Sequence, residues 1–196
     1  MHRQVEKRRA PPIPPQVLDA CIAAANAPFS GTVRGVSRYL DLGIPPSQLV
    51  LGVPWYGYRY PCLRGTAPTA RFCPIAQVAF RGVNCSDAAG SEVGYKEILR
   101  RLGSGGAATA RRWDANQGAH YFNAVEDGGG EGTEPGVVQY WYDDARSLAA
   151  KYAYARAAGL RGVGPYTFTD VARKEDPMYT ALDHFLIGEG EASVAA

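Results

Sequence analysis

The spacing of apolar residues changes at prolines and glycines along the chain, and these changes mark the boundaries of predicted elements. Residues 16–42 are predicted to be helical overall, with a break near Pro28. The second part of this region, about 32–42, ends at Gly43, since glycine suits the left-handed position after a helix. Pro45-Pro46 then prevents any further helix.

Two short apolar runs predict parallel strands. Residues 49–53 are continuously apolar between turn signals, which is typical of a strand buried on both faces in a parallel sheet. Residues 160–168 form a second strand, which follows a helix predicted at about 147–158 and ended by Gly159. Each strand leads into an aromatic and polar loop, the arrangement that builds active sites in (β/α)₈ barrels. Two strands cannot close a barrel, so the pattern indicates part of one.

The region between these strands has a different pattern. Residues 59–94 are rich in loop-forming residues, and 95–102 predict a short helix. Residues 120–125 and 136–142 are strand-like and are joined by a segment rich in glycine and acid, which predicts a β-hairpin.

The two ends of the chain differ from its middle. Residues 1–15 are basic and then proline-rich, which predicts a disordered or extended lead-in, and 188–196 form a flexible tail of small residues after a last helix at 176–187. The Lys7-Arg8-Arg9 run fits a solvated tail better than a nuclear signal. Residues 16–187 are therefore expected to form the folded domain.

Composition indicates a globular protein and argues against several classes of partner. Hydrophobic residues make up 46% of the 196 positions and charged residues 20%. A net charge of +2 argues against nucleic acid or an anionic membrane as the main partner. No stretch has the length and apolarity to cross a membrane. No apolar segment of the signal-peptide type follows the basic start.

Tyrosine and tryptophan are the most informative residue types. The chain has 12 Tyr and 3 Trp, and several lie in the runs 55–58 and 140–142. Their flat apolar faces and polar groups suit carbohydrate clefts, because a sugar ring has an apolar face and a rim of hydroxyls. The alternative is that they are core aromatics on strands.

The four cysteines do not have metal-ligand spacing. None forms a C-x-x-C pair and the histidines are scattered, which argues against a zinc site. Cys62, Cys73 and Cys85 fall in one loop-rich stretch, as in a disulfide-stapled loop of a secretory-pathway protein, while Cys21 lies apart. Buried free thiols are the alternative. Asn84 begins a sequon for glycosylation, with cysteine in its middle position. The cysteines indicate an oxidising compartment although the chain carries no segment to direct it there, which suggests a sequence incomplete at its start.

Several stretches of the chain match one known family. They are CIAAANAP at 21–28, LGVPWYGY at 51–58, FRG at 80–82, CSDAAG at 85–90, WYD at 141–143 with Ser147 and Lys151, and LRGVG at 160–164. Together they cover roughly residues 20 to 165, and they resemble glycoside hydrolase family 18, its chitobiase branch in particular.

The resemblance implies an α/β fold, the C-terminal part of a (β/α)₈ TIM barrel. Residues 49–53 and 161–166 would be its last two strands, with a small inserted β-hairpin between them. The family hydrolyses β-1,4 bonds between N-acetylglucosamine units, as in chitin oligosaccharides and the chitobiose core of N-glycans, by a retaining, substrate-assisted mechanism. The resemblance also implies such oligosaccharides as partners, a lysosomal or secreted location, and no cofactor or metal.

Three departures from the family pattern concern catalysis. The family's D-x-x-D-x-D-x-E motif, which supplies the general acid, is absent, and so is its M-x-Y-D strand. Tyr166 stands where the family places a tryptophan under the sugar. No residue of this chain is therefore predicted to be catalytic, and the isolated chain is predicted to be inactive. The alternatives are a lectin-like protein that binds carbohydrate without catalysis, or an interaction fragment.

The candidate substrate-binding residues are Trp55, Tyr56, Tyr58 and Tyr166, because each lies at or after the end of a predicted parallel strand. Strand alternation predicts that Trp55 and Tyr56 point to opposite faces, and core packing is the alternative for one or two of residues 55, 56 and 58. The acids at 143–144 invite a catalytic role, but helix capping is the preferred interpretation.

Overall fold

The computed structural model describes residues 20–127, 135–168 and 176–187. The predicted lead-in at 1–15 and the predicted tail at 188–196 lie outside these residues.

The first predicted helical region is only half correct. A helix, α1, spans Phe29–Asp41 and Gly43 follows it with a φ of 83°. The preceding segment is extended in its described part, and the helical prediction there is wrong. Its backbone groups pair with the segment at residues 73–75. The Ala23 amide donates to the Cys73 carbonyl at 3.0 Å, and the Ile75 amide donates to the Cys21 carbonyl at 2.8 Å.

The two predicted parallel strands are present and are neighbours. Strand β1 spans Val50–Pro54 and pairs in parallel with a strand at Gly162–Tyr166, in register from Val50 with Gly162 to Pro54 with Tyr166. The expectation that the first strand is buried on both faces is wrong at its start, because Val50 is 60% exposed. In the described part of the chain these two strands have no further strand beside them to bury that end.

The segment between the parallel strands forms more than the predicted hairpin. Tyr56–Pro61 is strand β2, Ser91–Gly94 is β3, Arg112–Asp114 is β4, Ala119–Glu126 is β5 and Gly136–Tyr142 is β6. The hairpin of β5 and β6 is confirmed, but it belongs to a five-stranded antiparallel sheet in the order β3-β2-β6-β5-β4. The extra strands lie where loops were predicted. Strand β2 is stabilised by pairing with β6, which is distant in sequence, β3 by pairing with β2, and β4 by pairing with the nearby β5.

Helices cover one face of the antiparallel sheet. Helix α2 spans Tyr95–Gly103 and helix α3 spans Ala145–Ala157, both as predicted to within a few residues, and the second parallel strand, β7, follows α3. The single helix predicted at 176–187 is instead two turns, α4 at Pro177–Thr180 and α5 at Asp183–Leu186. Backbone hydrogen bonds between residues three apart link the two turns and interrupt the α-helical pattern.

Two hydrophobic clusters hold the antiparallel sheet, one on each face. The larger cluster joins β5 and β6 to α2, α3 and the end of β1, and its fully buried members include Trp55, Phe122, Tyr140 and Tyr152. The smaller cluster lies under the extended segment and the cysteine-rich loop, and includes Tyr60, Tyr121 and Trp141.

All four cysteines are in disulfides, so the free-thiol alternative is wrong. Cys62 pairs with Cys73 inside the loop-rich stretch, whereas Cys85 pairs with Cys21 on the extended segment. The prediction of disulfides among Cys62, Cys73 and Cys85 therefore missed one partner. The missed partner is Cys21, which lies 64 residues from Cys85, so no local sequence pattern indicates that the two pair. The Cys21–Cys85 bridge joins the start of the described chain to the middle of the insert.

Candidate functional site

The carboxyl ends of the parallel strands bring the candidate site residues together. Pro54 of β1 pairs with Tyr166 of β7, and the Trp55 amide donates a hydrogen bond of 2.7 Å to the Tyr166 carbonyl. The chain then passes directly from β1 into β2. The end of the parallel pair and the start of the antiparallel sheet therefore meet at residues 54–56.

Trp55 is a core residue. Its side chain is 0% exposed, and its indole Nε1 donates to the Tyr152 hydroxyl at 3.1 Å. The rings of Tyr179 and Phe168 pack edge-on against it, with centroids at 4.9 and 5.4 Å. The structure therefore places the Trp55 side chain in the core, in the position that the packing alternative describes.

The other three candidates form one continuous aromatic surface with a fourth tyrosine. The ring centroid of Tyr166 lies 6.2 Å from that of Tyr56, Tyr56 lies 6.2 Å from Tyr58, and Tyr58 lies 5.8 Å from Tyr60. Tyr166 is 63% exposed, Tyr56 and Tyr58 are half-buried and Tyr60 is buried. We call Tyr166, Tyr56, Tyr58 and Tyr60 the tyrosine row.

Strand alternation explains why three tyrosines of the row share a face. Tyr56, Tyr58 and Tyr60 are two residues apart along β2, so their side chains leave the sheet on the same side. On the other side, Gly57 faces the core so closely that a Cβ there would lie 2.5 Å from the Trp141 carbonyl oxygen. Tyr60 was missed as a candidate, although the spacing of the three tyrosines is a period-two signal that could have found it.

The hydroxyls of Tyr58 and Tyr60, the two inner members of the row, remain protonated at physiological pH. Burial raises the pKa of Tyr58 above its usual 10.0, and the nearby Asp87 carboxylate raises it further. Burial and then Asp87 also raise the pKa of Tyr60. Neutral phenols can both donate and accept hydrogen bonds, which is what a surface that binds sugar hydroxyls needs.

Asp143 is used in a buried ion pair. Its two carboxylate oxygens accept from Lys151 Nζ at 2.6 and 2.7 Å, and the lysine side chain is fully buried. A carboxylate paired with a buried ammonium is used within the core, and loss of either partner would leave the other charge buried and unpaired.

Asp144 caps helix α3, as the preferred interpretation of the acidic pair predicted. Its Oδ1 accepts from the Ser147 amide while the Ser147 hydroxyl caps the Asp144 amide, which makes a capping box. His120 Nδ1 lies 2.8 Å from the second oxygen, Oδ2, and Arg111 lies 3.4 Å from it. Burial alone raises the pKa of Asp144, but the contacts with His120, Ser147 and Arg111 outweigh it, so the pKa lies below its usual 3.8.

Asn84 lies on the exposed surface of the cysteine-rich loop, beside the bridged Cys85. Within residues 20–127, 135–168 and 176–187 there is no cluster of three or more metal-ligating side chains. No helix in that part of the chain has both the length and the apolarity for a membrane span.

The sequence profile of glycosyl hydrolases family 18 matches residues 18–170. The chain belongs to this family. Its match therefore extends over both parallel strands, the antiparallel insert and the whole tyrosine row.

Relatives of this family 18 chain include chitobiases from animals and an amoeba. Di-N-acetylchitobiase of Rattus norvegicus is 39% identical over 163 residues, which are 83% of this chain and 42% of the relative. The Homo sapiens protein is 42% identical over 149 residues, 76% of this chain and 36% of its own length. Probable di-N-acetylchitobiase 2 of Dictyostelium discoideum is 38% identical over 173 residues, 84% of this chain and 44% of its own. The chain thus spans less than half the length of these relatives.

Solved structures similar to the family 18 chain are chitinases and a chitinase-like agglutinin. A class V chitinase from Nicotiana tobaccum aligns with a TM-score of 0.61 at 18% identity, over 86% of this chain and 45% of its own. The agglutinin from Robinia pseudoacacia aligns at 0.57 and 24% identity, over 85% and 42%. These likenesses imply a TIM-barrel-type fold.

Proposed function

We propose that this chain is part of a chitobiase- or chitinase-type glycosidase and that its tyrosine row binds oligosaccharides of β-1,4-linked N-acetylglucosamine. The observation that carries the proposal is the position of the row. Tyr166 and Tyr56 lie at the carboxyl ends of two adjacent parallel strands, where barrel enzymes bind substrates. Their rings are accessible, and aromatic faces of this kind stack on sugars.

The relatives support the substrate class. Three of them are di-N-acetylchitobiases by name, and a Nicotiana tobaccum chitinase variant has been solved in complex with NAG4. A chitinase variant from Cycas revoluta has been solved with (GlcNAc)3. Extension of this substrate class to the present chain rests on family membership together with the tyrosine row.

We further propose that the chain corresponds to the C-terminal part of the family barrel. Strands β1 and β7 would be its last two strands, and the five-stranded sheet would be an insert between them. The support is the parallel register of these strands and the exposed start of β1, a face that the rest of a barrel would cover.

Binding is tested by titrating the chain with chitobiose in a calorimeter. Tyr166→Ala is expected to weaken binding about 5- to 150-fold, since loss of one stacking aromatic costs about 1–3 kcal/mol. Tyr56→Ala is expected to act in the same direction. Tyr39→Ala is the matched control, because Tyr39 is also exposed, at 54%, but lies on α1. If the Tyr166→Ala variant, the Tyr39→Ala variant and the unchanged protein bind chitobiose with equal affinity, the proposal is contradicted.

A polypeptide of these 196 residues is predicted to release no N-acetylglucosamine from chitobiose. The sequence lacks the D-x-x-D-x-D-x-E motif, and a general acid contributes a rate factor of about 10²–10⁴. The measurement is product release by the purified chain, with a complete family 18 chitobiase as positive control. Turnover that survives repeated purification would contradict the prediction.

The second candidate function is carbohydrate binding without catalysis. The observation that favours it is that the tyrosine row is intact in a sequence without the acid motif. Chitobiose binding by the purified 196-residue chain without hydrolysis fits both candidates. A longer product of the same gene that carries the motif and hydrolyses chitobiose would decide for the glycosidase.

A secretory-pathway location, lysosomal or secreted, is also proposed. The two disulfides support it, because such bridges persist in oxidising compartments. The test is the location of the tagged natural gene product in cells.

A further inference from the structure

A small pocket lies at the inner end of the tyrosine row. Its volume is about 260 Å³. One wall is the extended segment around Ala25 and Asn26, the opposite wall is the loop at Ser86 and Asp87, and Tyr60 and Ile75 also line it. The pocket lies between the extended segment and the insert, away from the strand ends where Tyr166 is exposed.

Covalent and backbone bonds fix both walls of this pocket. The Cys21–Cys85 disulfide joins the extended segment to the loop directly beside the pocket. The Ser86 hydroxyl donates to the Val78 carbonyl at 2.7 Å and accepts from the Ala88 amide at 3.2 Å. Asp87 therefore starts a short turn whose base is held by Ser86, and Asp87 itself lines the pocket.

The pocket is connected to the tyrosine row through Tyr60. Tyr60 lines the pocket and stacks against Tyr58 with an interplanar angle of 30°. Gly90 allows this position, because a Cβ there would lie 2.6 Å from the Tyr60 ring. Asp87 is close enough to raise the pKa values of both Tyr58 and Tyr60, in addition to the effect of their burial.

The chemistry of the pocket suits one uncharged sugar unit. The Asp87 carboxylate accepts hydrogen bonds, and the Asn26 amide both donates and accepts them, which matches the hydroxyls and acetamido group of an amino sugar. Ile75 and the alanines supply the apolar contact that an acetyl methyl group needs. A volume of about 260 Å³ is too small for a long ligand but takes a single ring.

We propose that this pocket is a distal subsite for one further N-acetylglucosamine unit of an oligosaccharide whose other units lie along the tyrosine row. The inference rests on the proposed function of that row. The subsite makes affinity depend on chain length, since chitobiose at the strand ends does not reach it and a longer oligosaccharide does.

The test compares chitobiose with chitotetraose in calorimetric titrations of the full 196-residue chain. Chitotetraose is expected to bind about tenfold tighter, because a hydrogen bond to a charged group contributes about 1.5–3 kcal/mol. Asp87→Asn is expected to lower chitotetraose affinity about tenfold and to leave chitobiose affinity unchanged. Asp41→Asn removes the same charge from an exposed position at the end of α1 and serves as the matched control.

The outcomes separate the subsite from the proposed function. If chitobiose binds, and chitotetraose binds no tighter, the subsite is refuted while the tyrosine row stands. The subsite is also refuted if Asp87→Asn lowers the affinities for chitobiose and chitotetraose equally. It is refuted too if Asp87→Asn lowers neither affinity. If the unchanged chain binds neither sugar, the proposed function fails and the subsite fails with it.

Nuclear magnetic resonance supplies a readout that does not depend on a variant. Chitotetraose is expected to shift the signals of the Asn26 side-chain amide and of the Ala24 and Ala25 methyl groups, whereas chitobiose is expected to shift only signals near Tyr166. Unchanged signals at all three pocket residues under saturating chitotetraose would overturn the proposal.

Discussion

Trp55 and Tyr56 are consecutive aromatic residues, but Trp55 is buried in the core and Tyr56 is half-buried in the tyrosine row. Alternation along an extended chain predicts that their side chains separate, but it does not predict which one is buried. That choice depends on Tyr152 and Tyr179, which lie far along the sequence and close around the indole. The sequence could therefore identify the pair as important and could not assign the packing role to Trp55.

Trp55→Ala is expected to lower the free energy of unfolding by about 3–5 kcal/mol, because it empties a fully enclosed site. Trp55→Phe keeps a ring but loses the hydrogen bond to Tyr152, so a loss of about 1–2 kcal/mol is expected. Tyr166→Ala serves as the control and is expected to change stability by less than about 0.5 kcal/mol. Urea unfolding measures all three, and a mild effect of Trp55→Ala would show that the site is not enclosed.

At the scale of elements, local sequence patterns predicted the secondary structure correctly where it depends on residues within one segment. Helix α3 was predicted from its acidic start and the glycine after it, and Asp144 caps it. Strands β2 and β3 were missed because their glycines and prolines also signal loops, and only pairing with β6 and with each other makes them strands. The same long-range pairing explains why the segment before α1 is extended, although its alanines favour helix.

Asp144→Asn tests the charge at the start of α3, since asparagine also caps helices well. The folded pKa of Asp144 lies below 3.8, so its charge stabilises the fold above the unfolded pKa. This contribution is lost as the pH falls through the folded pKa. The variant is expected to be less stable by about 1–2 kcal/mol at pH 7.

The difference between Asp144→Asn and the unchanged protein is expected to shrink steadily below pH 3.8. Urea unfolding at a series of pH values measures it, with Asp41→Asn as an exposed control. A difference that stays constant with pH would mean that the carboxylate charge contributes nothing at this position.

At the scale of the whole molecule, the sequence predicted an α/β fold with two parallel strands and an insert, and it underestimated the insert. The insert is a five-stranded sheet with a hydrophobic cluster on each face. Its second cluster is built on Cys21, Cys73, Tyr60 and Trp141, which come from four separate segments. No pattern within one segment can reveal such a cluster, and for the same reason the pocket beside Tyr60 could not be predicted.

The two disulfides close loops of different length, so their removal is expected to differ. In the loop-closure description, the Cys21–Cys85 bridge, with a separation of 64 residues, stabilises by about 4 kcal/mol. The Cys62–Cys73 bridge, with a separation of 11, stabilises by about 3 kcal/mol. Paired serine variants and denaturant midpoints measure both values. A larger effect for the short loop would show that contacts within the folded loop dominate.

The parallel pairing of Val50 with Gly162 also bears on the order of folding. Joining two strands across the whole insert is slow in an unfolded chain, because the entropy of closing so long a loop is lost before any contact compensates for it. The β5–β6 hairpin joins residues that are only 10 to 22 positions apart, from Glu126 with Gly136 to His120 with Tyr142, so closing it costs less entropy. We expect the insert to collapse first and to bring the ends of β1 and β7 within reach, so the edge that carries Tyr166 is assembled last.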